Sequence, residues 1–208
     1  MHLMQETAPP VGLRASKKQA TGRALSAAAR SLALEHGFED VTIDMICAAA
    51  GVSTRTFFNY FESKSDAMVG QPMPLGDERS RAVFVAGGPS GELLADIVTV
   101  VDPTAFLVAE RRDDLRIALA LMEAEPRVLA LQLARGADME LELARLIAAR
   151  EGLTEPDYGC TTTAALAQTV LRCALLEWFR ADRDDDPGPY LHQASAALLA
   201  LARPSPSS

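Results

Sequence analysis

TIDMICAAAGVSTRTFFNYFESK, residues Thr42 to Lys64, contains two short helical patterns separated by one glycine and one valine. Thr42 is a good N-cap, because its hydroxyl can accept an orphaned backbone N–H, and Ile43, Ile46, Cys47 and Ala50 follow at i, i+3, i+4, i+7 spacing. That spacing predicts a one-faced helix of about two turns. Gly51 then lets the chain leave the helix in a left-handed conformation, Val52 fills the corner, and Ser53 caps a new helix. The two helices therefore meet at a tight bend.

In the second helix Phe57 and Phe61 lie four apart and share the inward face, while Thr54 with Phe58 and Arg55 with Asn59 form two neighbouring rows elsewhere. A buried helix has no use for those rows. Arginine pairs well with guanine, asparagine with adenine, and apolar groups with the thymine methyl, so the outward face suits base edges in a major groove. Ser63 and Asp66 form a capping box that begins a further helix. A lysine in the first turn of such a helix, Lys64, suits a phosphate, and the Tyr60 hydroxyl can reach the same strand. Contacts of that kind position a helix without reading sequence.

With these residues in hand, Thr42 to Lys64 resembles the helix-turn-helix of the TetR family of bacterial transcriptional regulators. The likeness includes the junction Ala50 to Ser53 and the exit Phe61 to Lys64, and it extends over Ser16 to about Met68. It implies that Thr42, Thr56, Tyr60 and Lys64 contact phosphates and that Thr54, Arg55 and Asn59 lie nearest the bases, with Ser53 at the helix start beside them. Many members have tyrosine where this chain has Phe58, which favours an apolar contact at that position.

Outside this stretch, 49% apolar content is enough for a sizeable core, and no continuous apolar run reaches the length of a membrane span. Met1 to Val11 carries no basic and apolar leader pattern, and the three cysteines make no disulfide framework, so a cytoplasmic protein is expected. The net charge of −8 is unevenly spread. Residues 1–70 hold seven basic and seven acidic side chains, so the whole excess of acid falls in the remainder. Within the first part Arg14, Lys17, Lys18 and Arg23 cluster with no acid among them, suited to a phosphate backbone.

The expected fold is all-α: an N-terminal three-helix helix-turn-helix DNA-binding domain followed by a larger helical domain. Leu25, Ala28, Ala29 and Leu32 give an amphipathic helix from about Ser16 to His36, stopped by Gly37, which with Phe38, Ile43, Ile46, Phe57 and Phe61 closes a small core. Residues 1–13 read as a flexible N-terminus, 14–70 as the DNA-binding domain, 77–203 as the second domain and 204–208 as a flexible tail. Gly70 to Gly76, with Pro72 and Pro74, marks the boundary.

Beyond Gly91 periodic apolar faces recur at Leu94, Ile97, Val98 and Val101, and at Leu115, Leu119 and Met122. A helix is predicted to start at Asp102-Pro103. Long helices are predicted over Pro126 to Arg150, Gly159 to Ala181 and Pro189 to Ala202. The last helices are apolar over more than one stripe, as Leu166, Val170, Leu171, Cys173, Leu175, Trp178 and Phe179 show, so they need either a partner chain or a ligand cavity. The family resemblance implies both. It implies a homodimer built on the last two helices, with Val170, Leu171, Leu175, Trp178 and Leu198 at the interface. It also implies a pocket for a small apolar effector among the middle helices, for which Leu94, Ile97, Phe106, Leu119, Met122, Leu133 and Met139 are the expected lining. A two-fold dimer would read a palindromic operator in double-stranded DNA with two helices about 34–36 Å apart.

No catalytic constellation is visible. His2, His36 and His192 are scattered, there is no GxSxG, HExxH, phosphate-binding glycine loop or CxxC, and Asp182 to Asp186 lacks the spacing of a calcium loop. A regulator without catalytic residues, cofactor or metal is expected.

Overall fold

The computed structural model describes residues 11–102, 112–181 and 187–202. Every regular element among them is a helix. In chain order these are α1 (Val11–His36), α2 (Ile43–Ala50), α3 (Thr54–Phe58), α4 (Lys64–Val69), α5 (Glu78–Val85), α6 (Leu93–Val101), α7 (Arg112–Ala124), α8 (Pro126–Arg150), α9 (Tyr158–Arg180) and α10 (Gly188–Ala202). The all-α expectation holds, and most helices fall where the apolar period puts them. The helix expected at Asp102-Pro103 falls on residues outside those described.

Two compact units are formed. The first takes the chain up to Gln71 together with Ile117–Leu131, and the second takes Pro72–Arg116 together with the chain from Gln132 onward. The return to the first unit at Ile117–Leu131 is something the periodic pattern does not announce.

In the first unit the core is built from Leu25 and Ala29 of α1, Phe38 and Val41 of the α1–α2 loop, Ile46 of α2, Phe57 of α3, Phe61, and Met68 of α4. Leu121 and Val128 from the returning segment complete it. Phe57 is wholly buried, and its replacement by alanine removes a ring that little else can replace, at a cost of about 3–5 kcal/mol. α1 ends because Gly37 adopts φ +86, and Arg30, buried on its inner face, donates to the carbonyls of Met68 at 2.8 Å and Val69 at 2.9 Å. These are carbonyls that the short α4 leaves without a partner of its own, so a buried guanidinium closes its last turn.

The second unit centres on Leu75, Phe84, Ile97, Val100, Leu143, Ile147 and the small residues Ala164 and Ala167 of α9. A smaller cluster of Leu171, Ala174 and Leu191 joins α9 to α10. A buried ion pair in this unit runs from Arg150 Nη2 to Asp96 Oδ2 at 2.8 Å, with both side chains shielded from solvent. Arg150 also donates to the carbonyls of Phe84, Gly87 and Gly88 and lies 4.9 Å from the centre of the Phe84 ring. Asp96 accepts from the Ser90 amide and hydroxyl and from the Gly91 amide. With both charges hydrogen-bonded, the glycine-rich loop is tied to α6 and to the end of α8.

Candidate nucleic-acid interface

The bend between α2 and α3 forms as its residues dictate. Thr42 accepts from the Met45 amide at 3.2 Å and starts α2. Gly51 closes that helix at φ +68, a conformation that favours glycine, with its own N–H on Ala48 and the Val52 N–H on Cys47. Ser53 then accepts from the Thr56 amide at 3.1 Å and starts α3. α3 is shorter than the period suggests: its last regular residue is Phe58, and Asn59 is the C-cap. The Phe61 amide nonetheless bonds the Phe57 carbonyl at 3.0 Å, so Phe61 stays on the inward face and is 2% exposed.

What α3 turns outward is equally definite. Thr54, Arg55, Phe58 and Asn59 are exposed, and Phe58 shows 56% of its surface while its ring meets Phe57 edge-on at 5.5 Å. Arg55 and Asn59 make no side-chain bond among the described residues, so a guanidinium fork and an amide stand free on one row. Thr56 is half-buried with its hydroxyl 2.9 Å from that of Ser53, and Tyr60 is half-buried against the core. Lys17 and Lys18 are exposed on α1.

Lys64 is already engaged within the unit. Its ammonium donates to three carbonyls, of Phe38 at 2.8 Å, Glu39 at 2.9 Å and Val41 at 3.0 Å, and so employs all three of its protons inside the unit. The loop from Gly37 to Val41 leaves those carbonyls without helical partners, and a cation in the first turn of α4 collects them. A phosphate would have to displace them.

In the second unit a cavity of ≈ 20 Å³ is lined by Leu94, Ile97, Val98, Val101, Ala167, Val170, Leu191 and Ser195. Of the expected lining, Leu94 and Ile97 are there. Met122 packs on the core of the first unit, Met139 packs on the core of the second, Leu119 is half-buried, Leu133 is 65% exposed, and Phe106 lies outside the described residues. The missed residues are Val98 and Val101, further along the α6 face that carries Leu94 and Ile97, and Ala167, Val170, Leu191 and Ser195 of α9 and α10, whose apolar excess was visible but whose facing could not be divided between cavity and surface.

The expected dimer residues divide in the same way. Leu171 is 3% and Trp178 5% exposed within the single chain, so both are core, while Val170 and Leu175 are half-buried against the small cluster. The Leu198 side chain lies outside those described. Apart from Tyr158 at its start, the apolar residues that α9 leaves exposed include Leu166, Cys173 and Leu176, at helical spacing on one face.

Cys47 and Cys160 are buried, and burial pushes the Cys160 thiol up, away from the thiolate that reactivity needs. Among the described residues no group of His, Cys, Asp and Glu could hold a metal ion, and no helix is long and apolar enough to cross a membrane.

Residues 25–66 match the family model for bacterial regulatory proteins of the tetR family. Over 184 residues the chain is 33% identical to the HTH-type transcriptional regulator TcmR of Streptomyces glaucescens, an alignment covering 83% of this chain and 80% of that protein. A solved structure from Pseudomonas aeruginosa PAO1, described as a transcriptional regulator, superposes with a TM-score of 0.51 at 17% identity, over 90% of this chain and 91% of that one. At that identity the likeness speaks for the fold. The multidrug binding protein EbrR, complexed with imidazole, is 21% identical over 92% of this chain and 95% of that one, with a TM-score of 0.42, too loose a likeness to bear on this chain.

Proposed function

This chain belongs to the TetR family of bacterial transcriptional regulators, and we propose that it acts as a homodimeric, sequence-specific repressor released from its operator by a small apolar molecule. The observation that carries the DNA-binding reading is the outward face of α3. Arg55 and Asn59, without side-chain partners among the described residues, stand beside the exposed ring of Phe58, on a helix pinned from behind by Phe57 and Phe61. Arg55 and Asn59 have the forks that read guanine and adenine, and Phe58 with Thr54 suits a thymine methyl. Lys17, Lys18, Thr42, Thr56 and Tyr60 are the backbone contacts that set the register of the head.

The partner chain is read onto α9 and α10. Leu166, Cys173 and Leu176 supply an apolar face that no other described part of the chain covers, and a two-fold axis there pairs two heads on a palindromic site. The effector is read into the cavity of the second unit, whose lining is apolar except for Ser195. At ≈ 20 Å³ that cavity is no larger than a water needs, far short of a pocket for a drug-sized molecule. An effector seated at this cavity requires the second unit to rearrange around it, and that rearrangement is the source of the differential affinity for two states that release from DNA requires. The same small volume supports the second reading, a regulator of this fold that works without a ligand.

The test is binding of the purified protein to the DNA upstream of its own gene, against scrambled DNA, by gel shift over a salt series. Tight binding by a dimer to one sequence is expected. Equal, weak binding to both would overturn the reading for that site. Apolar compounds that raise the melting temperature and abolish the shift support the repressor reading; a panel that does neither favours ligand-independent control.

A further inference from the structure

Thr54, the first residue of α3, is not free. Its hydroxyl donates to Asp44 Oδ1 at 3.2 Å, a bond from the start of α3 to the first turn of α2. Both residues are exposed, so this bond lies on the outer surface of the helix-turn-helix. Asp44 sits two residues past the N-cap of α2, where the helix dipole favours a carboxylate. Its second oxygen, Oδ2, has no partner among the described residues.

We propose that Asp44 is a specificity-determining residue for DNA recognition, reading a cytosine amino group with Oδ2 while Oδ1 fixes Thr54. Three considerations lead there. In a helix-turn-helix it is the N-terminal residues of the second helix that contact base edges, and Asp44 is bonded to the first of them. A carboxylate only accepts, and of the groups that bases show in the major groove the amino group of cytosine is the one that Asp and Glu pair with. A negative charge on a face that meets phosphates weakens binding to every DNA unless one base returns a hydrogen bond, so it acts as a filter against sites lacking that base. The bond to Thr54 has its own effect. A hydroxyl committed to Asp44 holds the threonine in one rotamer, leaving its methyl as the unengaged part beside Phe58 on the same row.

The inference rests on α3 being the helix that reads DNA, and the experiment separates the two. Wild type, Asp44→Asn, Asp44→Ala and Thr54→Val are each used to select binding sites from duplex DNA with a randomised half-site, with melting curves to verify folding. Wild type is expected to select one position as cytosine. Asp44→Ala should lose that preference by about tenfold or more while the other positions stay fixed. Asp44→Asn, which both donates and accepts, should admit other bases at that position, and both Asp44 variants should bind non-specific DNA more tightly than wild type. Thr54→Val should blur only the neighbouring position. If Asp44→Ala folds and selects the same sites as wild type, the role assigned to Asp44 is overturned and the recognition helix stands. If folded wild type selects no sequence at all, the recognition reading falls and this inference with it.

Discussion

Lys64 and Phe38 are joined twice: the ammonium donates to the Phe38 carbonyl at 2.8 Å and lies 4.8 Å from the centre of the Phe38 ring. Together with the bonds to Glu39 and Val41, this makes Lys64 the tie between α4 and the loop that precedes α2. Lys64→Met should lower the stability of the first unit by about 2–4 kcal/mol, since charge-assisted bonds are lost and partly buried carbonyls go unpaired. The salt dependence of DNA binding separates this role from a phosphate contact. The slope of log affinity against log salt should stay unchanged in the variant, whereas loss of a phosphate contact would reduce it by about one for each head.

Arg55 is expected to behave differently, because it is exposed and makes no side-chain bond among the described residues. Arg55→Ala should leave the melting temperature unchanged and cost about 1–3 kcal/mol of discrimination at one base position. Competition binding against single-base operator variants measures this. Uniform weakening on all DNA would make Arg55 a backbone contact.

Asp96 sets a dependence on pH. Burial by itself pushes its carboxyl up, but the hydrogen bonds from Ser90 and the Arg150 guanidinium more than offset this and hold it below the ordinary value of 3.8. A carboxyl lowered by folding stabilises fully above its unfolded value and ceases to do so as pH falls through its folded one. Wild type should therefore lose this contribution only below about pH 4. Asp96→Asn, which leaves the Arg150 charge buried without its counter-ion, should be less stable at neutral pH by about 3–5 kcal/mol and show a flatter response to acid. Denaturant unfolding from pH 7 to 3 tests both; parallel curves for the two proteins would dismiss the role of the pair.

Leu166 and Leu176 are 45% and 37% exposed on α9, whereas Trp178 is 5% exposed. Leu166→Asp with Leu176→Asp should yield a folded monomer by sedimentation, with unchanged helical content and much weaker operator binding. Trp178→Asp should instead unfold the second unit. A double variant that stays dimeric at low micromolar concentration would move the interface elsewhere.

How much of this was legible beforehand differs between elements. The bend at Gly51 is set by residues adjacent in sequence. Caps at Thr42 and Ser53, a glycine free to take φ +68, and apolar side chains three and four apart are local causes, and their products are the ones the chain forms. Likewise Phe57 and Phe61 had no alternative to the inside. Lys64 shows where such reasoning stops. A lysine in a first turn fits a phosphate as well as it fits three carbonyls, and only the fold brings Phe38, Glu39 and Val41, 23 to 26 residues away, within reach of its ammonium.

The sequence by itself determined the helices, their caps, the split between an inward and an outward face of α3, and the family. Each depends on contacts within a turn or two, whose energies do not depend on what lies across the core. Tertiary structure alone decided how the apolar excess of α9 is shared, with Leu171 and Trp178 going to the core, Ala167 and Val170 to the cavity, and Leu166 and Leu176 to the surface. A helix apolar on several stripes has no preferred rotation of its own. Its neighbours choose the rotation, because each stripe gains about the same on leaving water and only packing tells them apart.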